Sequence, residues 1–215
     1  RSDVQMLRRN IELEARIIDD LLDLTRLGRG MVSVSPEDTD VHELLELLID
    51  LSQSELQDKD LNVSLRLNAS RHYVHTDAAR LQQVFWNILL NAIKFTESGG
   101  SITIDTSNNS EGKIDVSIAD TGIGMTPETI SKLFVPFEQG DRTRHRRYRG
   151  LGLGMAISNA LIKLLKGKLN AQSEGLGQGS TFKVSFPTIT GAPATSGTDV
   201  PLPTMAGKGN LLLVE

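Results

Sequence analysis

The sequence contains no cysteine. Disulfide frameworks, thiol nucleophiles and cysteine-ligated metals are thereby excluded. Long apolar runs are missing as well. None approaches the roughly 20 residues that cross a bilayer, and the first residues lack the pattern of a secretion signal. A cytoplasmic location is the expectation, with any membrane anchor belonging to a longer parent protein. There is no excess of positive charge. Lys and Arg total 23 against 27 Asp and Glu, a formal net charge of −4, which gives no basis for bulk nucleic-acid binding. Histidine is scarce: His42, His72, His75 and His145 are not arranged with Asp or Glu at metal-ligand spacing, and no Ser-His-Asp signature is present.

What is present suffices for a real core. At 215 residues and 39% hydrophobic composition, the chain suits one substantial domain with appendages, or two small domains. Residues 3–27 read as one long helix, with apolar stripes through Leu7, Ile11, Ile18 and Leu22 and through Leu13, Ile17, Leu21 and Leu24. Gly28 and Gly30 end it. Asp40 is positioned to cap a helix from Val41 to about Leu56, and Asp77 starts another that ends near Thr96. "LNVSLRL" (61–67) alternates as a strand, with a short strand around Tyr73. "SITIDTS" (101–107) and "KIDVSIAD" (113–120) read as an antiparallel hairpin. Residues 122–150 are mostly irregular, with one or two helical turns. A helix over about 151–165 and two strands, about 168–173 and 180–186, close the pattern. This order predicts a mixed sheet with helices on one face rather than a doubly wound parallel sheet. Residues 191–207 read as linker, and "GNLLLVE" reads as the first strand of a further domain.

Within the helix after Asp77, "FWNILLNAIKF" places Asn87, Asn91 and Lys94 at i, i+4 and i+7, on one face. Asparagine is a mediocre helix former, so two of them require a reason. The Asn91 oxygen suits a hard cation such as Mg2+, and Lys94 suits a phosphate. A solvated or internally bonded face is the alternative. "DTGIGM" (120–125) follows a strand. Asp120 can accept from a purine amino group, and Gly122 and Gly124 permit tight turns. It is not a dinucleotide-binding fingerprint, because its glycines open no helix within a parallel unit. "GLGLGMAI" (150–157) sets three glycines before a helix, where backbone N–H groups form an anion site or a simple capped turn. It lacks the GK[ST] ending of a Walker loop. "DRTRHRRYR" (141–149) is a solvated face or a basic lid that meets phosphates; nucleic-acid binding is a third reading, which no aromatic interleaving supports.

Taken in order, these motifs resemble the ATP-binding catalytic domain of sensor histidine kinases, in particular the hybrid type that continues into a receiver domain. "RLQQVFWNILLNAIKFTESG" is similar to the family's N box, "DTGIGM" to its first glycine box, "LFVPFEQGD" to its F box through Phe134 and Phe137, and "GLGLGMAIS" to its second glycine box. "GQGSTFKVSFP" resembles the closing strand. The resemblance implies an α/β sandwich: a mixed, mostly antiparallel sheet packed on three helices, the histidine kinase/Hsp90-like ATPase fold, preceded by a long N-terminal helix. It implies catalytic roles for Asn87, Asn91 and Lys94, with Asn91 as the magnesium ligand. It implies that ATP is held by these residues together with Phe95, Asp120, Gly122, Gly124, Phe137, Arg146, Arg147, Gly150, Leu151, Gly152, Leu153, Gly154 and Thr181. Related ATPases carry a glutamate base at the place of Asn87, and asparagine there fits transfer to a protein side chain. Arg149 and Leu151 depart from the usual glycine and threonine of the second glycine box.

The implied organisation is an incomplete phosphoacceptor and dimerisation hairpin over 1–30, the ATP-binding domain over 31–190, the linker over 191–207, and the start of a receiver domain over 208–215. The implied activity is transfer of the ATP γ-phosphoryl group to a histidine on a dimerisation helix absent from this sequence, for relay to a receiver aspartate. The implied partners are ATP, Mg2+, a phosphoacceptor helix from the same or a partner subunit, a receiver domain or response regulator, and a second copy in a homodimer. No nucleic acid is implied. The alternatives are a nucleotide-binding or interaction module without transfer, and an ATP hydrolase of the same superfamily.

Overall fold

The computed structural model describes residues 18, 21–138 and 152–190. Of the expected long N-terminal helix, the described part, α1, covers residues 21–28. Leu24 and Leu27 pack on the core, while Ile18, Leu21 and Leu22 are exposed. The helix ends with Gly30 at φ +63° and the Met31 amide bonded to Arg26 O at 2.9 Å. The expected linker over 191–207 and the strand over 208–215 lie outside the described residues.

A two-stranded antiparallel ribbon, β1 (Glu37–Asp40) with β3 (Tyr73–Thr76), stands apart from the main sheet. The main sheet has the order β2-β4-β5-β7-β6, from β2 (Asn62–Leu67), β4 (Ser101–Asn108), β5 (Lys113–Asp120), β7 (Ser180–Pro187) and β6 (Lys168–Gln172). β2 runs parallel to β4, and the other pairs are antiparallel. Parallel neighbours need a crossover, and helix α4 (Ala78–Phe95) lies within it. The β4–β5 turn is built locally: Asn109 Oδ1 accepts from the amides of Glu111 and Lys113, at 3.0 and 3.1 Å, and Gly112 takes φ +74°.

Strict alternation sorts the sheet faces. Ile102, Ile104, Ile114, Val116, Ile118, Phe182, Val184 and Phe186 are all buried in one core with residues of α2 (Val41–Leu51), α4 and α6 (Gly154–Leu164), the short α5 (Pro127–Lys132) lying between α4 and α6 in sequence. The α4 residues Leu81, Val84, Phe85, Ile88, Leu89, Ala92 and Ile93 recur at helical spacing and supply its centre. The opposite sheet face is polar. There Asp115 bonds Ser185 Oγ at 2.6 Å and Lys183 Nζ at 2.7 Å. The expected mixed sheet with helices on one face is the observed architecture.

Two expectations need correction. The single helix over 41–56 is two, α2 and α3 (Gln53–Asp58), broken at Ser52. The buried Ser52 hydroxyl lies 2.8 Å from Leu48 O and 3.1 Å from Ile49 O, so the side chain competes with the backbone ladder for its own acceptors. The helix expected from 151 begins at Gly154, because Gly152 stands at φ +72° and cannot belong to a right-handed helix. Both predicted aspartate caps are in place. Asp40 Oδ1 accepts from the His42 amide at 2.8 Å, and Asp77 Oδ1 from the Arg80 amide at 3.0 Å.

Candidate functional site

The polar face of α4 emerges where its apolar face has been consumed by the core. Asn87, Asn91, Lys94 and Phe95 are all half-buried. Asn87 Nδ2 points at the start of α6, 3.3 Å from Ser158 Oγ and 3.5 Å from Gly154 O, both long for hydrogen bonds. The Asn91 carboxamide has no hydrogen-bond partner among the described residues. Lys94 Nζ sits 4.9 Å from the Phe95 ring centroid, held at the rim by its own neighbour.

The turn after β5 is welded to the end of α4. The Ile123 amide bonds Phe95 O at 3.2 Å. A Cβ on Gly122 would lie 2.5 Å from that same carbonyl oxygen and 2.7 Å from Asp120 Oδ1, so only glycine fits. Gly124, at φ +67°, would drive a Cβ into Gly175 O. The loop over 173–179 clamps the turn from the far side. Gly177 N bonds Ile123 O at 2.7 Å, Gly179 N bonds Gly122 O at 3.0 Å, and Met125 N bonds Ser173 Oγ at 2.9 Å. Asp120 is buried, with Oδ1 accepting from Gly122 N at 2.8 Å and Ser180 N at 3.3 Å, and Oδ2 accepting from Ser180 Oγ at 2.6 Å. A carboxylate has about four lone-pair sites, so the Asp120–Ser180 pair still has acceptor capacity to offer a ligand.

Helix α6 supplies the third element. Its N-cap is Leu153, which makes no side-chain cap bond. Among the described residues the first amides of the helix therefore have no side-chain cap, and the helix start lies beside Asn87. Backbone donors and the helix dipole favour an anion there.

Through α4 the structure brings Asn87 to Gly154 and Phe95 to the Asp120–Gly124 turn, with Asn91 and Lys94 on the same helix; Gly152 lies two residues before the start of α6 at φ +72°. Leu153 is 1% exposed and its side chain belongs to the core, so it can offer a ligand only its backbone. Phe137 is 56% exposed at φ +64°, while Phe134 packs on the core. Arg146, Arg147, Gly150 and Leu151 lie outside the described residues.

Thr181 is not brought to Asp120. The register sets Thr181 opposite Ala119 and Gln172, on the outer face, and Ser180 opposite Asp120. The alternation Phe182, Val184, Phe186 was the available signal, because it turns Ser180 inward. Ser180, Ser173 and Ser158 are site residues that the sequence reading missed. A cavity of about 600 Å³ abuts the site, with Ile130, Gln172, Glu174, Ser180 and Thr181 among its lining.

A family model described as "Histidine kinase-, DNA gyrase B-, and HSP90-like ATPase" matches residues 76–190, which hold α4, both glycine turns and the closing strands. The chain belongs to this ATPase family. Among curated proteins it is similar to the autoinducer 2 sensor kinase/phosphatase LuxQ of Vibrio vulnificus, 31% identical over 176 residues, covering 80% of this chain and 20% of LuxQ. It is likewise similar to the aerobic respiration control sensor protein ArcB of Escherichia coli, 31% identical over 205 residues, covering 93% of this chain and 26% of ArcB. The chain thus spans about a fifth to a quarter of these relatives. Among solved structures, full-length ShkA in complex with AMPPNP matches with a TM-score of 0.76 and 29% identity, over 89% of this chain and 39% of ShkA.

The residues present fit the nucleotide that this ATPase family's name implies. Among the described residues the Asn91 oxygen, a hard donor, has no hydrogen-bond partner, the α6 amides receive no cap from the N-cap side chain, and the Asp120–Ser180 pair is preorganised by its hydrogen bonds. Among the described residues, no helix is long and apolar enough to cross a membrane.

Proposed function

We propose that this chain is the ATP-binding catalytic core of a two-component sensor histidine kinase. Its reaction is transfer of the ATP γ-phosphoryl group to a histidine nitrogen on a dimerisation helix, for relay to an aspartate of a receiver domain. The observation that carries the reading is the convergence of the α4 polar face, the Asp120–Gly124 turn and the uncapped start of α6. In the transfer, the imidazole nitrogen forms a bond to the γ-phosphorus, the bond to the β–γ bridging oxygen breaks, ADP leaves, and the attacking imidazole loses its proton. Magnesium supplies charge neutralisation on the phosphates. Asn91 is its protein ligand, and Asn87 lies beside the phosphates and restrains the start of α6. Lys94 and the α6 amides meet negative charge. The Asp120–Ser180 pair accepts from the adenine amino group, and the glycines let backbone approach the ring.

The described histidines do not belong to this site. His42 and His72 stack on one another with ring centroids 4.2 Å apart, and His42 Nε2 lies 2.9 Å from Thr106 Oγ1. His75 pairs with Asp38. Thr106 is four residues along β4 from Ile102, the partner of Asp120, a separation of about 13 Å. The acceptor histidine is therefore assigned to another helix. The receiver domain, the response regulator and a second copy of the chain are the proposed partners.

Calorimetry with ATP and Mg2+ tests the reading. Wild type is expected to bind, and Asn91→Ala to lose about tenfold in affinity, specifically in the presence of Mg2+. Equal Mg-ATP binding by both proteins refutes the metal assignment. Steady phosphate release without an acid-labile phosphohistidine, on a chain extended with an acceptor helix, refutes the kinase in favour of a hydrolase.

A further inference from the structure

The last turn of a helix leaves its carbonyls without intrahelical donors, and in α4 every one of them is accounted for. Ala92 O accepts from the Thr96 amide at 3.0 Å and from Thr96 Oγ1 at 2.6 Å. Phe95 O accepts from Ile123 N of the glycine turn. The remaining three, Ile93 O, Lys94 O and Thr96 O, all accept from one ammonium, Lys59 Nζ, at 2.6, 2.9 and 2.7 Å. An ammonium has three N–H donors, so these acceptors match its whole capacity.

Lys59 comes from the C-cap of α3, more than 30 residues away in sequence. Its own carbonyl accepts from Gly99 N at 3.3 Å, tying the α3 end to the turn that follows α4. A positive charge fixed at a helix C-terminus also complements the helix dipole. Burial lowers the Lys59 pKa from the usual ammonium value, and Glu97 opposes that shift.

The clamp matters because of what the same turn of α4 carries. Asn91 and Lys94 project from it, and Phe95 O anchors the Asp120–Gly124 turn. Two walls of the site therefore meet at the backbone that Lys59 grips. We propose that Lys59 is a positioning residue for the nucleotide site, setting the last turn of α4 and, through Phe95 O, the glycine turn. This inference rests on the nucleotide-binding reading above.

The test is Mg-ATP calorimetry on the full 215-residue chain, with a thermal melt of each variant. Lys59→Met keeps the aliphatic stem and removes the three donors. It is expected to bind Mg-ATP about tenfold more weakly, because a small misplacement of positioning groups has disproportionate effects. Lys183→Met is the structural control. It breaks the Lys183–Asp115 pair on the outer sheet face, and is expected to lower the melting temperature while leaving affinity within about twofold. Amide exchange supplies a second readout. In Lys59→Met the Ile123 amide is expected to lose protection, while that of Val116 in β5 keeps it. Should Lys59→Met not fold, Lys59→Gln, with a shorter reach and two donors, is expected to bind about fivefold more weakly. Binding by the folded Lys59 variant within twofold of wild type, with Ile123 still protected, overturns the inference and leaves the nucleotide reading intact. Absence of binding by wild type overturns both.

Discussion

The sharpest prediction separates two neighbouring hydroxyls. Ser180→Ala removes the 2.6 Å bond to Asp120 Oδ2, while Thr181→Ala removes a hydroxyl with no hydrogen-bond partner among the described residues. Hydrogen bonds to charged groups contribute about 1.5–3 kcal/mol. Asp120 keeps its amide donors from Gly122 and Ser180 in the variant, so the expected loss falls at the lower end, about 1–2 kcal/mol. For a domain of this size that lowers the melting temperature by about 3–6 °C. Thr181→Ala is expected to stay within about 0.5 kcal/mol of wild type. Urea denaturation with a constant slope reads the stabilities, and calorimetry reads ATP affinity, which should fall in Ser180→Ala and hold in Thr181→Ala. A cycle with Asp120→Asn checks the cause, since the two single effects should not add. Strict additivity, or a larger loss in Thr181→Ala, refutes the assignment of Ser180 to the Asp120 side.

Further outcomes follow from the caps and the stacked histidines. Asp77→Ala removes the α4 N-cap and also the 2.9 Å bond that holds the Ser35 amide; a loss of about 1–2 kcal/mol is expected in urea denaturation. Burial raises the Asp77 pKa, but the amides of Ser35 and Arg80 and the Arg80 guanidinium outweigh it, and the carboxyl is held below its ordinary value. Its stabilising effect is therefore complete above the ordinary carboxylate range, near pH 4, and is lost as pH falls through the lower folded value; the stability of Asp77→Ala in urea should change less with pH there. Burial, and then the neighbouring His72, push the His42 pKa down, against the opposing pull of Asp40 and Glu46. The unfolded chain then binds the proton first, so stability should fall as pH drops below about 6.5. Melts at pH 7.5 and 5.5 should show a smaller difference for His42→Gln than for wild type; an unchanged difference refutes the role of His42.

Much of the fold was legible because its signals are local. Aspartate caps, alternating strands and the helical spacing of the α4 apolar residues each reside in a short segment whose period shows which side is buried. The N-box face and the first glycine turn were legible for the same reason, as spacing within one helix and, at Gly122 and Gly124, glycines where a side chain cannot fit. What failed either left no mark on the periodicity or depended on other segments. Ser52 breaks a helix by a local competition that periodicity does not register. The place of Ser180 rather than Thr181 follows from strand register, and a shift of one residue moves a side chain to the opposite face.

The sequence alone therefore determined the family and the chemical inventory: an asparagine oxygen, an acidic acceptor after a strand, and glycines before a helix. Tertiary structure alone decided which of these groups meet. It set Asp120 against Ser180, Asn87 of α4 against the start of α6, and Lys59 under three carbonyls of a helix remote in sequence. The physical reason is that composition and period act along the chain, whereas a site requires donors and acceptors to converge across it.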